Sequence, residues 1–230
     1  NLKIGPTRRT FLITSAGPRE GKTTILTNLG LSVAQKGTKV LLISSDLRRP
    51  ILSKTFAINK EPGLNELITG AANMEDALRN ISDIILGDMP IDKILTTPEM
   101  GNIWILPSGR MPLNPAEILE SPKFSSLLED FKNRFDVIFL DSPPVLPVTD
   151  ASLLAPKVDS IILCYEIGRT TREALLRAKI QLESVGGKIL GVVLNHIAPQ
   201  AELMTTYPYY SRYKDRYYME EEKKASKVRK

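Results

Sequence analysis

Short apolar runs alternate with longer amphipathic stretches along the chain. Six runs are nearly continuous in apolar, largely β-branched residues, the pattern of strands that are buried on both faces: 11–14, 40–43, 103–106, 137–140, 161–164 and 189–194. Between these runs, helical spacing of apolar residues predicts helices over 23–36, 63–69, 74–80, 122–134 and 171–185. The alternation predicts an α/β fold whose mainly parallel central sheet is flanked by helices on both faces. Such sheets bind ligands at the carboxyl ends of their strands.

Two segments depart from this alternation. Residues 82–102 contain Gly87, Pro90 and Pro98, which break any regular element, so we expect a surface excursion there. Residues 106–115 contain three prolines and are predicted to form a loop.

Composition limits the class of protein. The chain has 230 residues, of which 42% are hydrophobic and 25% charged, so overall disorder is excluded and one globular domain is expected. Because no apolar run reaches 18 residues, we expect no membrane-spanning helix, and we expect no signal peptide. A single cysteine, Cys164, excludes an internal disulfide and favours a reducing compartment. One histidine without a cysteine pair excludes the usual zinc sites.

The net charge of +5 is concentrated at the C-terminus. Residues 212–230 contain eight Lys or Arg and four Asp or Glu, so the remainder is close to neutral and we expect no nucleic-acid partner. Six of the seven tyrosines are clustered just before the end of the chain: Tyr207, Tyr209, Tyr210, Tyr213, Tyr217 and Tyr218. Their irregular spacing among charged residues argues against a buried stripe. We therefore expect a globular domain over 1–204 and a flexible, accessible, tyrosine-rich tail over 205–230.

The sharpest local signal is the octapeptide AGPREGKT at 16–23, which follows a predicted strand and opens a predicted helix. It fits the phosphate-binding spacing G-x-x-x-x-G-K-[ST] with alanine at the first glycine. In such a P-loop the backbone N–H groups point at phosphate oxygens, the lysine reaches the β- and γ-phosphates, and the hydroxyl binds Mg²⁺. The P-loop predicts a nucleotide site formed by Gly17, Pro18, Arg19, Glu20, Gly21, Lys22, Thr23 and Thr24.

A metal site of this kind needs a carboxylate from another strand. Asp141 ends the run FDVIFLD at 135–141, where a Walker B aspartate would lie, and is our candidate for the metal side. The alternative is an aspartate that caps a turn before Pro143 and Pro144.

Four segments and the tyrosine cluster together resemble the cytoplasmic kinase domain of bacterial tyrosine kinases, the chain-length regulators of capsular and exopolysaccharide synthesis. The segments are 15–24, VLLISSDLRRP at 40–50, LPSGRMPLNPAE at 106–117 and FDVIFLDSPPV at 135–145. The resemblance implies an ATP-dependent tyrosine autokinase that uses Mg²⁺ and acts in polysaccharide synthesis and export. It also implies that the clustered tyrosines are the phosphoryl acceptors, exchanged between neighbouring subunits.

The resemblance also assigns roles to single residues. Lys22, Asp46 and Asp141 match catalytic positions, and Thr23, Asp46 and Asp141 match the metal side. Asn195, which ends the last predicted strand, matches the position that reads the adenine edge, although a plain turn asparagine is the alternative. In the family, the segment that ends the second strand, called Walker A′, has the form D-x-D-x-R, and here it spans residues 44–48.

Ser44 stands where the first of these aspartates belongs. The family carboxylate is the usual candidate for accepting the tyrosine proton, and a neutral serine cannot accept it with comparable driving force. We therefore expect reduced kinase activity. The alternative is that 44 and 45 are simply small polar residues at a strand end. Phosphoryl transfer depends mostly on positioning and charge neutralisation, so slow transfer without the base is compatible with the sequence.

The resemblance further implies partners and location. Family members assemble through a helix upstream of the segment matched here and are activated by a membrane-spanning domain, and we expect neither within these 230 residues. It implies neighbouring subunits as partners, a protein tyrosine phosphatase, and a cytoplasmic position at the inner face of the plasma membrane. Two alternatives stay open: a nucleotide-binding assembly switch without catalysis, and a partitioning-type ATPase resembling MinD and ParA. Gly17 disfavours the second, because those P-loops carry a lysine there.

Overall fold

The computed structural model describes residues 10–81 and 101–197. Within these ranges one sheet of seven strands runs in the order β3-β4-β2-β5-β1-β6-β7, and every neighbouring pair is parallel except β3 with β4. The strands are β1 Thr10–Ser15, β2 Val40–Ser44, β3 Arg79–Asn80, β4 Ile103–Leu106, β5 Val137–Asp141, β6 Ser160–Glu166 and β7 Ile189–Asn195. Nearly all of the predicted excursion at 82–102, and the tail at 205–230 with its six tyrosines, lie outside the described residues.

Helices cover both faces of the sheet. They are α1 Lys22–Ala34, α2 Leu52–Thr55, α3 Leu64–Thr69, α4 Met74–Ala77, α5 Pro115–Glu120, α6 Pro122–Lys132, α7 Asp150–Leu154 and α8 Arg172–Ser184. Successive strand residues point to opposite faces, so Leu12 packs in a core with α6 and α8, whereas Ile13 packs in a second core with α1. The predicted α/β architecture is confirmed. No helix within the described ranges is long and apolar enough to span a bilayer.

Three expectations about the elements were wrong. The helix predicted over 74–80 ends at Ala77, and β3 then pairs antiparallel with β4, which would otherwise be an unpaired edge. The loop predicted over 106–115 ends one residue early, because Pro115 begins α5, where its missing N–H costs nothing. The last strand is not buried on both faces: its residues alternate, and Leu190 is 50% exposed.

The loop that follows β4 is held against the start of α3. The N–H groups of Leu64 and Asn65 donate to the carbonyl oxygens of Pro107 and Ser108, at 2.8 and 3.0 Å. The Glu66 carboxylate accepts the N–H groups of Gly63 and Arg110, at 2.8 and 2.9 Å. A Cβ at Gly63 would overlap the backbone at Pro107 and Gly109, so only glycine permits this approach.

We predict that Gly63→Ala lowers the free energy of unfolding by about 1–3 kcal/mol, as other insertions into packed sites do. Chemical denaturation measures the change. Gly191→Ala is the matched control, because an added Cβ there meets no atom within 4 Å. If both variants unfold at the same denaturant concentration, the close contact at Gly63 does not constrain the fold.

Candidate functional site

The P-loop connects β1 to α1, and Gly21 is the residue that α1 follows directly. Gly21 has a left-handed backbone with φ 83°, and a Cβ there would overlap the side-chain amide of Asn195. The Nδ2 group of Asn195 donates to the carbonyl oxygen of Glu20 at 3.2 Å. The end of β7 therefore lies directly against the P-loop, and the left-handed backbone at 21 favours glycine there.

Three polar side chains at the P-loop, those of Ser15, Glu20 and Lys22, are buried. Lys22 Nζ donates to Ser15 Oγ at 3.1 Å, and Ser15 Oγ in turn donates to the carbonyl oxygen of Gly17 at 2.6 Å. The Gly17 N–H donates to Glu20 Oε1 at 2.5 Å, and the Glu20 side chain is buried. Sequence reasoning missed Ser15 as the partner of the lysine. The only signal for it was a small polar residue at the last position of β1.

The carboxyl ends of β1, β2 and β5 meet beside this loop. The parallel register places Ser44 opposite Asp141, and Asp141 in turn opposite Ile13. Asp141 is 2% exposed, and its Oδ2 atom accepts a hydrogen bond from Thr23 Oγ1 at 2.7 Å. In the described part of the chain, Asp141 Oδ1 and Ser44 Oγ are buried without a hydrogen-bond partner. The predicted pair Thr23 and Asp141 is therefore in direct contact, with a spare carboxylate oxygen.

This arrangement raises the pKa values of two carboxyl groups. Burial, opposed by the Thr23 hydrogen bond and the Lys22 charge and assisted by the charge of Asp46, raises the pKa of Asp141 to about 7. Burial also raises the pKa of Asp46, although the N–H groups of Arg49 and Arg48 and the charge of Lys22 oppose it. The electrostatic influence of Lys22 and Asp46 shows that these groups share one neighbourhood.

The residues present fit a Mg²⁺ ion that is only partly coordinated by protein. Thr23 and Asp141 supply a hydroxyl and a carboxylate, hard oxygen ligands of the kind that Mg²⁺ prefers. Within the described ranges, no three His, Cys, Asp or Glu side chains group together as a metal site. A cation here would therefore need phosphate or water oxygens in addition, which is how Mg²⁺ binds with nucleotides.

The Walker A′ segment is tied to its neighbours on both sides. The Ser45 N–H donates to the carbonyl oxygen of Asp141 at 2.9 Å, and Asp46 Oδ1 accepts the N–H groups of Arg48 and Arg49. Arg48 makes a two-pronged ion pair with Asp150, in which both N···O distances are 2.9 Å and Asp150 is fully buried. Sequence reasoning missed Asp150, because nothing near it in the chain indicates its partner.

Cys164 lies on β6, opposite Ser15 of β1. Its thiol is fully buried, and burial raises its pKa to about 12. A thiol in that state is not a nucleophile at neutral pH, so Cys164 plays no part in the chemistry of the site.

We predict that Asp141→Asn stabilises the nucleotide-free protein above pH 7. The carboxyl group has a pKa near 3.8 when unfolded and about 7 when folded. Between these values only the unfolded state ionises, so the folded wild type loses stability as pH rises to 7. Asparagine removes this loss while keeping the shape of the side chain.

Chemical denaturation at several pH values measures the difference between variant and wild type. We expect it to be largest above pH 7 and to shrink towards pH 4. Asp130→Asn, at an exposed position of α6, is the matched control for the loss of one carboxylate. The same pH dependence for Asp141→Asn and wild type would contradict the buried ionisation.

We predict that Arg48 and Asp150 are energetically coupled. A double-mutant cycle with Arg48→Gln and Asp150→Asn should give a coupling energy of about 0.5–3 kcal/mol, towards the lower end because Arg48 is 37% exposed and solvent screens its charge. The matched control is the exposed pair Lys179 and Glu183 of α8, for which we expect about 0.5 kcal/mol or less. Equal coupling in the two cycles would show that burial of Asp150 adds nothing.

Comparison with known proteins places this site in a family. Residues 17–179 match the family described as the AAA domain. The chain is 34% identical over 210 residues to the tyrosine-protein kinase CpsD of Streptococcus agalactiae, and this similarity covers 91% of the present chain and 83% of CpsD.

Solved structures agree with this assignment. The kinase domain of the Escherichia coli tyrosine kinase ETK superposes with a TM-score of 0.73 at 28% identity, over 85% of this chain and 71% of the other. The cell division ATPase MinD of Pyrococcus furiosus superposes with a TM-score of 0.64 at 26% identity, over 84% of this chain and 74% of the other. The similarities confirm the P-loop fold and the resemblance drawn from the motifs. The chain thus belongs to the AAA-domain family and, with CpsD and ETK, to the bacterial tyrosine-protein kinases.

Proposed function

We propose that this protein is an ATP-dependent tyrosine kinase that phosphorylates the tyrosine cluster of neighbouring copies, in exopolysaccharide or capsule synthesis and export. The observation that carries the proposal is the contact of Thr23 with the buried Asp141, next to Lys22 and Asp46. A cation, a hydroxyl and two carboxylates at the mouth of a P-loop are the groups that phosphoryl transfer from a magnesium nucleotide requires.

Each group of residues in the site has a separate role in binding the magnesium nucleotide. The backbone of residues 17–24 binds the phosphates, and Lys22 exchanges its hydrogen bond to Ser15 for the phosphate oxygens. Thr23 and Asp141 would hold Mg²⁺, with Asp46 beside them, and the bound ion would supply positive charge against the charge of the transferring group. Asn195, whose side chain donates to the carbonyl oxygen of Glu20, is the proposed contact to the base of the nucleotide.

The transfer forms a bond between the tyrosine oxygen and the γ-phosphorus of ATP and breaks the bond from that phosphorus to the oxygen retained by ADP. The phenolic proton must leave to a base. Ser44 has no charge to accept it, so the Asp46 carboxylate, whose pKa burial raises, is the remaining acceptor in the Walker A′ segment. We infer that transfer is slower than with a carboxylate at 44.

The acceptors in this proposal are Tyr207, Tyr209, Tyr210, Tyr213, Tyr217 and Tyr218, in the tail over 205–230 that follows the catalytic domain over 1–204. Each phosphate adds nearly two negative charges to a basic tail, so phosphorylation weakens contacts between subunits. The proposed setting also includes a membrane-spanning activator domain, a position at the inner face of the membrane and a tyrosine phosphatase that reverses the reaction.

Ser44 favours a second candidate function, a nucleotide-binding switch that assembles without phosphorylating. Its Oγ atom is buried beside Asp141 and has no hydrogen-bond partner among the described residues. In this candidate function the P-loop still binds nucleotide, but the protein does not transfer phosphate, because Ser44 replaces the carboxylate that would accept the proton. An ATPase like MinD shares the fold, but Gly17 occupies the position of the extra lysine in its P-loop.

We predict that the full chain incubated with MgATP gains phosphate on residues 207–218, mapped by mass spectrometry. Ser44→Asp should raise the initial rate about a hundredfold, the effect of a positioned base. Ser44→Asn is the matched control, because it has the same size and accepts no proton. Lys22→Met should abolish incorporation.

The outcomes separate the two candidates. Tight nucleotide binding with no phosphotyrosine in the wild type, followed by rapid phosphorylation in Ser44→Asp, would establish the switch. Equal rates in wild type, Ser44→Asp and Ser44→Asn would show that position 44 does not limit the reaction. No phosphotyrosine in any variant would reject the kinase.

A further inference from the structure

A pocket of about 610 Å³ lies directly after the Walker A′ segment. We call it the basic pocket, and it is lined by Arg49, Pro50, Ile51, Ser53, Lys54, Ile58, Asn59 and Lys60. Three cationic side chains line it and no carboxylate does. Lys60 also contacts Glu61 at 3.5 Å, at the surface, whereas Arg49 and Lys54 form no ion pair within the described residues. The pocket therefore presents unbalanced positive charge to a ligand.

The basic pocket adjoins the proposed catalytic site. The N–H of Arg49, one of its lining residues, donates to Asp46 Oδ1 at 2.9 Å. The other lining residues lie further along the chain, before, in and after α2. On the other side of Arg49, Asp46 interacts electrostatically with Lys22 and Asp141. A polypeptide that occupies the pocket would therefore pass next to the groups that act on its tyrosines. None of the residues that line the pocket belongs to the P-loop.

The tail contains one acidic run that complements this charge. Glu220, Glu221 and Glu222 follow the last two tyrosines, and the neighbouring charges are mostly basic: Arg212, Lys214, Arg216, Lys223 and Lys224. An extended chain covers about 3.3–3.6 Å per residue, so the run begins only about 7 Å beyond Tyr218. With the acidic run in the basic pocket, the adjacent tyrosines lie within reach of Asp46. If the tail were shifted along the pocket, its flanking lysines and arginines would meet the cationic side chains of the pocket and be repelled.

We propose that the basic pocket binds residues 220–222 of a second copy of this chain and so selects Tyr217 and Tyr218 as the preferred acceptors. The inference rests on the proposed kinase function and adds a recognition element to it. The occupant is a peptide segment, because the pocket is a concavity of a size that admits a few carboxylate side chains. The binding is electrostatic and exposed, so it weakens as salt concentration rises.

A two-component assay tests the proposal. The kinase copy carries Ser44→Asp, which should increase the rate of transfer. All six of its tail tyrosines are also substituted by phenylalanine (Tyr→Phe), so its own tail cannot be phosphorylated. The acceptor copy carries Lys22→Met and keeps its tyrosines. Site-resolved mass spectrometry gives the initial rate at each tyrosine. We expect Tyr217 and Tyr218 to be phosphorylated faster than Tyr207 and Tyr209.

Charge reversal tests the contact itself. Lys54→Glu together with Lys60→Glu in the kinase copy should slow Tyr217 and Tyr218 about tenfold and leave Tyr207 unchanged. Glu220→Lys and Glu221→Lys in the acceptor should have the same effect, and combining the reversed kinase with the reversed acceptor should restore the rate. Nucleotide affinity of the reversed kinase, measured by calorimetry, serves as the control and should not change.

Each other outcome overturns the inference. If all six tyrosines are phosphorylated and neither set of charge-reversal variants changes their rates, the kinase function is supported and the recognition by the basic pocket is rejected. If Lys54→Glu slows every tyrosine equally, the pocket does not set the register. If it abolishes binding to phosphatidylserine vesicles and leaves Tyr217 unaffected, the pocket faces lipid. No phosphotyrosine anywhere would reject the kinase function and not the pocket alone.

Discussion

The parallel register of β1, β2 and β5 is the constraint on which the site depends. It brings Ile13, Ser44 and Asp141 level at one edge of the sheet. Three chain segments leave the sheet there, the P-loop after β1, the Walker A′ segment after β2 and the loop after β5. A shift of one residue in the pairing of β5 with β1 would turn Asp141 to the opposite face, away from Thr23. The packed cores on both faces hold that register.

The site contains polar atoms that are buried from water without a hydrogen-bond partner among the described residues. Asp141 keeps one oxygen without a hydrogen bond in the described structure, and Lys22 is held by the hydroxyl of Ser15. Such groups are costly to bury and are stabilised when a ligand supplies the missing charge. An aspartate at 44 would add a second negative charge directly beside Asp141. The serine at this position therefore avoids such repulsion in the nucleotide-free protein.

The sequence predicts the central strands well, because a strand buried on both faces needs a continuous apolar run. The run at 103–106 coincides with β4, and that at 40–43 lacks only the last residue of β2. The P-loop was predictable for a similar reason, since its chemistry needs consecutive residues. Elements set by distant partners were not predictable. β3 exists because β4 has a free edge, and Asp150 belongs to the site only through Arg48, 102 positions earlier.

The reactivity of the Cys164 thiol can be used to measure opening of the folded structure around it. It is the only thiol in the sequence, and it is shut between strands directly behind the start of the P-loop. A reagent that modifies sulfur can reach it only when the core that packs Cys164 with α1 opens, so the rate of modification measures how often this core opens. The P-loop depends on the same core, because α1 begins directly after Gly21.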